Sequence, residues 1–162
     1  MKLCIVGITG LVGNELVQVL NDSNLKVDEF ICAASERSKG KEIEIRGKKH
    51  YAVTPADACE MKPDIAIFSA GSEVSKEWAP RFAANGCFVI DNSSQWRMCN
   101  EIPLVVPEIN ANTITQNTKI ISNPNCSTIQ LVLAISRLHT KYSVRRLVIS
   151  TYQSVSGTGL YA

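Results

Sequence analysis

The sequence predicts an α/β fold in which a mostly parallel sheet is flanked by helices. Strand-length apolar runs at residues 2–6, 27–34, 65–69, 87–90 and 119–122 recur along the chain, several of them separated by helical patterns. The first of these runs passes through three glycines directly into a helix. Polar clusters follow the strands at 34–41, 69–72, 91–98 and 123–128, where ligands gather in open α/β sheets.

Residues 2–6 read as a buried strand, and Gly7-Ile8-Thr9-Gly10-Leu11-Val12-Gly13 turns it into a helix whose Val12, Leu16, Val19 and Leu20 are expected to face the sheet. Glycines let a backbone approach a pyrophosphate closely, and the unpaired N–H groups at a helix start receive its charge. The arrangement is Rossmann-like, although the spacing is GxxGxxG rather than GxGxxG, and a tight structural turn is the competing reading. No Gly-Lys-Ser/Thr follows, so it is not a Walker loop. Residues 27–34 should form the second parallel strand, and the adenosine ribose of a dinucleotide lies beyond such a strand's end. There Arg37 can pair with a 2′-phosphate while Ser35 and Ser38 offer hydroxyls, which favours NADP(H) over NAD. Glu36 could instead hold a ribose diol, and a solvated charged loop is the plain alternative. Residues 42–46 and 49–53 alternate well enough for a hairpin or edge strands.

Pro63-Asp64 introduces a central strand at 65–69, with Ser69, Ala70 and Gly71 at its C-terminal end. A helix over about 73–85 should stop at Gly86, a natural C′ residue. The strand 87–90 then delivers Asp91-Asn92-Ser93-Ser94-Gln95-Trp96-Arg97-Met98 to the same edge. Arg97 is placed by topology to meet an anion, or it is an ordinary surface arginine. Residues 104–110 read as a connector, and 111–115 as at most a short helix.

After a strand at 119–122 comes Asn123-Pro124-Asn125-Cys126-Ser127-Thr128. Pro124 keeps the residue before it extended and Asn125 suits a helix cap, so Cys126 is expected at the first turn of a helix. A helix start favours the thiolate, which is the nucleophilic form; the opposing reading is a small buried hydrophobe. The run 126–139 is apolar over much of its circumference, which predicts a helix buried between layers or domains. A strand over 144–150 is expected to end in a polar, glycine-rich loop holding Gln153, Ser156 and Gly157. Gln153 could orient a carbonyl or a water, or be an ordinary polar residue. Because a new strand starts there without visible partners, the sequence reads as a fragment with a domain boundary near 120–130.

Composition narrows the function classes. A 45% hydrophobic content over 162 residues suits a packed core, and a net charge of +2 argues against a nucleic-acid partner while leaving small anions open. No apolar stretch approaches a membrane span, and Met1-Lys2 runs into strand-like sequence with no signal-peptide pattern. The six cysteines contain no CxxC pair, so buried thiols in a reducing compartment are a simpler reading than a disulfide framework, and no metal site is expected. A dinucleotide turn, a helix-start cysteine and an arginine together suggest thiolate attack on an acyl group or aldehyde, with a nicotinamide exchanging hydride. Neither histidine serves as the proton carrier. His50 lies in a basic surface-like segment, and His139 is about 20 Å down the Cys126 helix.

The sequence resembles the aspartate-semialdehyde dehydrogenases of the bacterial type. The resemblance rests on residues 7–13, on Ser69-Ala70-Gly71 with Val74-Ser75-Lys76-Glu77-Trp78-Ala79-Pro80, and on Asp91-Asn92-Ser93-Ser94 through Arg97-Met98. It continues through Val105-Val106-Pro107-Glu108-Ile109-Asn110, residues 123–128 and Ser150-Thr151-Tyr152-Gln153 through Gly157. It implies an NADP-binding domain over 1–125 and, over 126–162, the truncated start of an α+β catalytic and dimerisation domain. It implies Cys126 as nucleophile, Gln153 as the group positioning the acyl carbon, and Arg97 and Asn125 as contacts to substrate or phosphate. Gly7, Thr9, Gly10, Leu11, Val12, Gly13, Ser35, Arg37, Ser38, Ser69, Ala70, Gly71, Ser156 and Gly157 would bind NADP(H). The substrates implied are aspartyl phosphate, aspartate semialdehyde and inorganic phosphate, in a cytoplasmic homodimer or homotetramer of amino-acid biosynthesis with no nucleic-acid or membrane partner. The family's acid/base histidine and a second substrate arginine fall in its later domain, so the fragment alone is expected to turn over little.

Two departures from the family pattern stand out: Ser72-Glu73 replaces a second glycine followed by serine, and Cys99-Asn100 replaces a more acidic segment. N-acetyl-glutamyl-phosphate reductases share the glycine turn and the thioester chemistry, but a Pro-Gly-Cys run is expected there. Glyceraldehyde-3-phosphate dehydrogenases fit less well around the cysteine and the cofactor turn. A cofactor-binding or assembly module without catalysis is the remaining alternative.

Overall fold

The computed structural model describes residues 1–152. Five strands, β1 (Lys2–Val6), β2 (Glu29–Ala33), β5 (Ile65–Phe68), β6 (Phe88–Asp91) and β7 (Ile120–Ser122), form one parallel sheet in the order β2-β1-β5-β6-β7. The hairpin β3 (Glu42–Ile45) and β4 (Lys48–Tyr51) forms a separate two-stranded sheet, joined to the end of β2 by a parallel bridge between Ala33 and Val53. The helices are α1 (Leu11–Asp22), α2 (Pro55–Glu60), α3 (Ser72–Ala84), α4 (Pro107–Asn110) and α5 (Cys126–Tyr142). The Rossmann-like arrangement expected from sequence is therefore the fold observed.

Parallel strands covered on both faces need continuous apolar sequence, and Leu3-Cys4-Ile5-Val6 supplies it with all four side chains buried. One face packs Cys4, Val6, Ala66, Phe68 and Val89 against α2 and α3, where Phe68 and Phe82 meet edge to face at 5.2 Å. The other face packs Leu3, Ile5 and Cys32 against Ile8 and Leu20, with Ile45 and Ala52 from the hairpin region. Each fully buried large side chain contributes about 1.5–3 kcal/mol. Helix α3 ends as expected at Gly86 (φ +90°), with Gly86 N–H donating to Ala83 and Cys87 N–H to Phe82, the paired bonds of a Schellman stop.

Five elements differ from expectation, one of them the four-residue helix α4, which lies where a connector was expected. Helix α1 is rotated: Gly13 and Leu20 are buried and Leu16 and Val17 half-buried, while Val12 and Val19 are 45% and 62% exposed. The phase is set by Gly13, where a Cβ would lie 2.4 Å from the Ile8 carbonyl oxygen, so that residue must face the turn. Helix α2 is an added element, started by a capping box in which Thr54 Oγ1 accepts from Asp57 N–H at 3.1 Å. Helix α5 has no buried residue, so the expected burial between layers is not met among the described residues. Residues 144–150 form no strand, because among the described residues no chain offers them a hydrogen-bonding ladder.

Candidate functional site

All five strands are parallel, so their C-terminal ends share one edge. Strand order reverses direction between β1 and β5, since the chain first moves outward to β2 and then crosses back to β5 and beyond. Ligands of open α/β sheets bind at that switch point. The glycine turn sits there. Gly7 has φ +90°, and a Cβ on it would come within 2.6 Å of the Ser69 carbonyl oxygen, so the turns after β1 and β5 are in direct contact. Asn14 N–H makes the first intrahelical bond, onto Gly10, and the N–H groups of Leu11, Val12 and Gly13 before it are the orphan donors a helix start presents. Thr9 and Gly10 are half-buried in the same turn, and Ser69, Ala70 and Gly71 (φ +90°) face it from the start of α3. These features form a cradle that a side chain would fill, as a bound pyrophosphate requires.

Ser35, Arg37 and Ser38 lie where β2 ends, around a one-turn 3-10 helix (Glu36–Ser38), with Ser35 and Arg37 exposed. Lys39, next in sequence, is committed elsewhere: its ammonium donates to Asp57 Oδ2 at 2.9 Å. That hydrogen bond holds the Asp57 carboxyl below the usual carboxylate range and raises Lys39.

At the other end of the edge, β7 delivers Asn125 to the N-cap of α5 with φ −60° and ψ 144°. Its Oδ1 accepts from Ser127 N–H at 3.0 Å and from Ser127 Oγ–H at 2.6 Å, and the Cys126 thiol reaches it at 3.9 Å. Cys126 is the first residue of α5 and exposed, so the buried-hydrophobe alternative is corrected. Cys4, Cys32, Cys59 and Cys87 are the buried free thiols instead. Burial pushes Cys87 up to about 12 and Cys32 to about 11.

Arg97 stands beside this turn. Its Nε donates to the Asn123 carbonyl at 3.0 Å and its Nη2 to the Asn92 carbonyl at 3.0 Å. The loop carrying it is pinned by Trp96 Nε1, which donates to buried Ser75 Oγ at 2.9 Å, and by the Ser72 and Ser94 hydroxyls, which meet at 3.0 Å. Ser72 thus ties the start of α3 to the Arg97 loop. Cys99 donates to Glu101 at 3.0 Å and keeps that carboxyl low. Gln153, Ser156 and Gly157 lie outside the described residues. Sequence reasoning did not isolate Asn92 and Asn123, whose side chains bond each other at 2.7 Å across 31 residues of chain; only the strand order could have paired them.

A glycine cradle at the switch point of a parallel sheet defines a dinucleotide-binding domain of the doubly wound class, here with a helix-start cysteine on the same edge. The chain belongs to the semialdehyde dehydrogenase family, whose NAD-binding domain matches residues 2–117. It is 49% identical to an aspartate-semialdehyde dehydrogenase of Aquifex aeolicus over 99% of its own length and 48% of that relative's. A crystal structure of aspartate semialdehyde dehydrogenase II from Vibrio cholerae superposes with a TM-score of 0.92 at 43% identity, covering 98% of this chain and 48% of that one. The same Vibrio enzyme complexed with ASA gives 0.93 at 42% identity, with the same coverage. The chain spans about half the length of the curated relatives it matches. Among the described residues no helix is long and apolar enough to cross a membrane.

Proposed function

We propose that the full-length subunit is an NADP-dependent aspartate-semialdehyde dehydrogenase that converts L-aspartyl 4-phosphate to L-aspartate 4-semialdehyde and phosphate. The observation that carries this reading is Cys126, exposed at the capped start of α5, on the sheet edge that also holds the glycine cradle and Arg97. The Vibrio relative complexed with ASA supports the substrate class.

In this reading the Cys126 thiolate attacks the acyl carbon of the substrate, and phosphate leaves with the C–O electron pair. A thioester on Cys126 results. The cofactor, when bound, supplies the hydride that the thioester carbon accepts. The C–S bond then breaks, releasing the aldehyde and restoring the thiolate. Arg97 keeps its Nη1 donors for a substrate carboxylate or phosphate, because its other bonds are made through Nε and Nη2. Gln153 orients the acyl group, and Asn125 contacts the substrate or its phosphate. The orphan N–H groups at the start of α1 receive the pyrophosphate, with Thr9 and residues 69–71 closing the cradle and Ser156 and Gly157 assigned to the same cofactor. Arg37, with Ser35 and Ser38, holds the 2′-phosphate. In this reading the NADP-binding domain spans 1–125 and the catalytic domain begins at 126, and the subunit assembles as a cytoplasmic homodimer or homotetramer.

The test is phosphate-dependent oxidation of aspartate semialdehyde by the full-length subunit. Cys126→Ser is expected to lower kcat by at least about a thousandfold, as loss of a covalent nucleophile does; unchanged turnover would overturn the reading. Arg37→Ala is expected to weaken NADP+ binding by about tenfold or more while leaving NAD+ binding unchanged, since only the 2′-phosphate contact is lost. Equal loss for both cofactors would remove Arg37 from that role.

A further inference from the structure

Beneath the Cys126 turn lies a clasp between two strand ends. Strands β6 and β7 are parallel neighbours whose register closes with Asp91 opposite Ser122. The next residue on each side is an asparagine. Asn123 Nδ2 donates to Asn92 Oδ1 at 2.7 Å, and Asn123 N–H donates to the Asp91 carbonyl at 2.7 Å. Arg97 closes the ring from outside through its two bonds to the carbonyls of the same asparagines. The floor is rigid: Asp91 is fully buried and accepts from Ser93 Oγ–H at 2.7 Å, and Ser93 Oγ in turn accepts from Gln95 N–H at 3.1 Å.

Only Pro124 and Asn125 separate this clasp from the sulfur. Pro124 has its φ locked and is buried, Asn123 is held extended by the proline after it, and Asn125 is fixed by its capping bond. With three successive residues stiff, the position of Asn123 dictates the position of the thiol. Strand β7 is only three residues long; its last residue, Ser122, is held on the far side by its N–H to the Pro103 carbonyl and by Val105 N–H to its own carbonyl, each at 2.9 Å, and the clasp continues the tie to β6 one residue further, at Asn123. We infer that Asn92 and Asn123 are positioning residues for Cys126, their amide pair and the Arg97 staple together setting where the thiol stands over the sheet edge. The inference rests on the reading of Cys126 as the nucleophile, and it assigns Arg97 a second task beside anion contact.

In the full-length subunit, Asn92→Leu removes the acceptor while keeping the branched side-chain shape, and Asn92→Asp keeps the acceptor. Three quantities are read for each: kcat with KM, the plateau rate of Cys126 alkylation by iodoacetamide at high pH, where ionisation is complete and added charge no longer shifts it, and the urea midpoint. Asn92→Leu is expected to lower kcat by about a hundredfold, as an ångström-scale misplacement does, with a smaller change in KM and an altered alkylation plateau. Asn92→Asp is expected to restore most of both. Should Asn92→Leu fail to fold, Asn92→Ser takes its place. An unchanged kcat and plateau in Asn92→Leu overturns the inference, as does equal impairment of Asn92→Leu and Asn92→Asp. A loss of activity that merely follows the urea midpoint overturns it too. Alkylation is read without substrate, so a failed nucleophile assignment shows in Cys126→Ser turnover, while a failed clasp shows in the plateau.

Discussion

Cys126 differs from the buried thiols of the chain in what surrounds it. Desolvation raises Cys4 well above the ordinary thiol range, with Cys87 adding to it, and takes Cys87 to about 12. The Cys87 thiolate is then scarce at pH 8, and its access is closed as well. Iodoacetamide on the folded protein is therefore expected to modify Cys126, while Cys4, Cys32 and Cys87 react only after denaturation. Peptide mapping by mass spectrometry checks this, and rapid labelling of Cys4 would contradict its placement on β1. At this scale the sequence announced Cys126, Asn125 and Arg97 through local pattern, because a cap and a proline act within a few residues. It did not announce the Asn92 to Asn123 bond, which depends on two strands lying side by side.

Among the elements, the strands and α3 were legible because apolar runs, Pro63 and Gly86 all act locally. Helix α2 escaped because six residues are too few for a helical period, although Thr54-Pro55-Ala56-Asp57 carries the capping-box pattern. Thr54→Ala is expected to destabilise the protein by about 1 kcal/mol, and Thr54→Ser to recover most of it, as measured by urea unfolding. The face of α1 was misjudged because apolar periodicity sees Val12 and Val19 but not the close contact of Gly13 with the turn, and that contact sets the helix's rotation. Residues 144–150 have strand composition, but a strand is a property of pairs, and composition does not supply the partner.

For the molecule as a whole, stability should decline in two separate acid windows. His50 sits half-buried on β4 against Phe30, ring centroids 5.7 Å apart, and burial followed by the Lys48 charge lowers its pKa below the usual histidine value. The unfolded chain thus takes the proton first, and the contribution of neutral His50 is lost as pH falls below about 6.5. Asp57 and Glu101 are depressed carboxyls, so theirs is present above the unfolded carboxylate pKa and lost only lower, as pH falls through the folded values. Urea midpoints at pH 7.5 and 5.5 are expected to differ less in His50→Phe than in the parent chain; equal differences would remove His50 from the first window.

The near-contact of Gly7 with the Ser69 carbonyl has a bearing on redesign. Any larger residue at 7 must displace the backbone after β5, so the phosphate cradle and the second crossover cannot be altered one at a time. Residues 35–38 have no such constraint, since most of that turn is open to solvent. Attempts to switch the preferred dinucleotide should therefore find their tolerated substitutions at the outer end of β2, and leave the crowded centre of the sheet untouched.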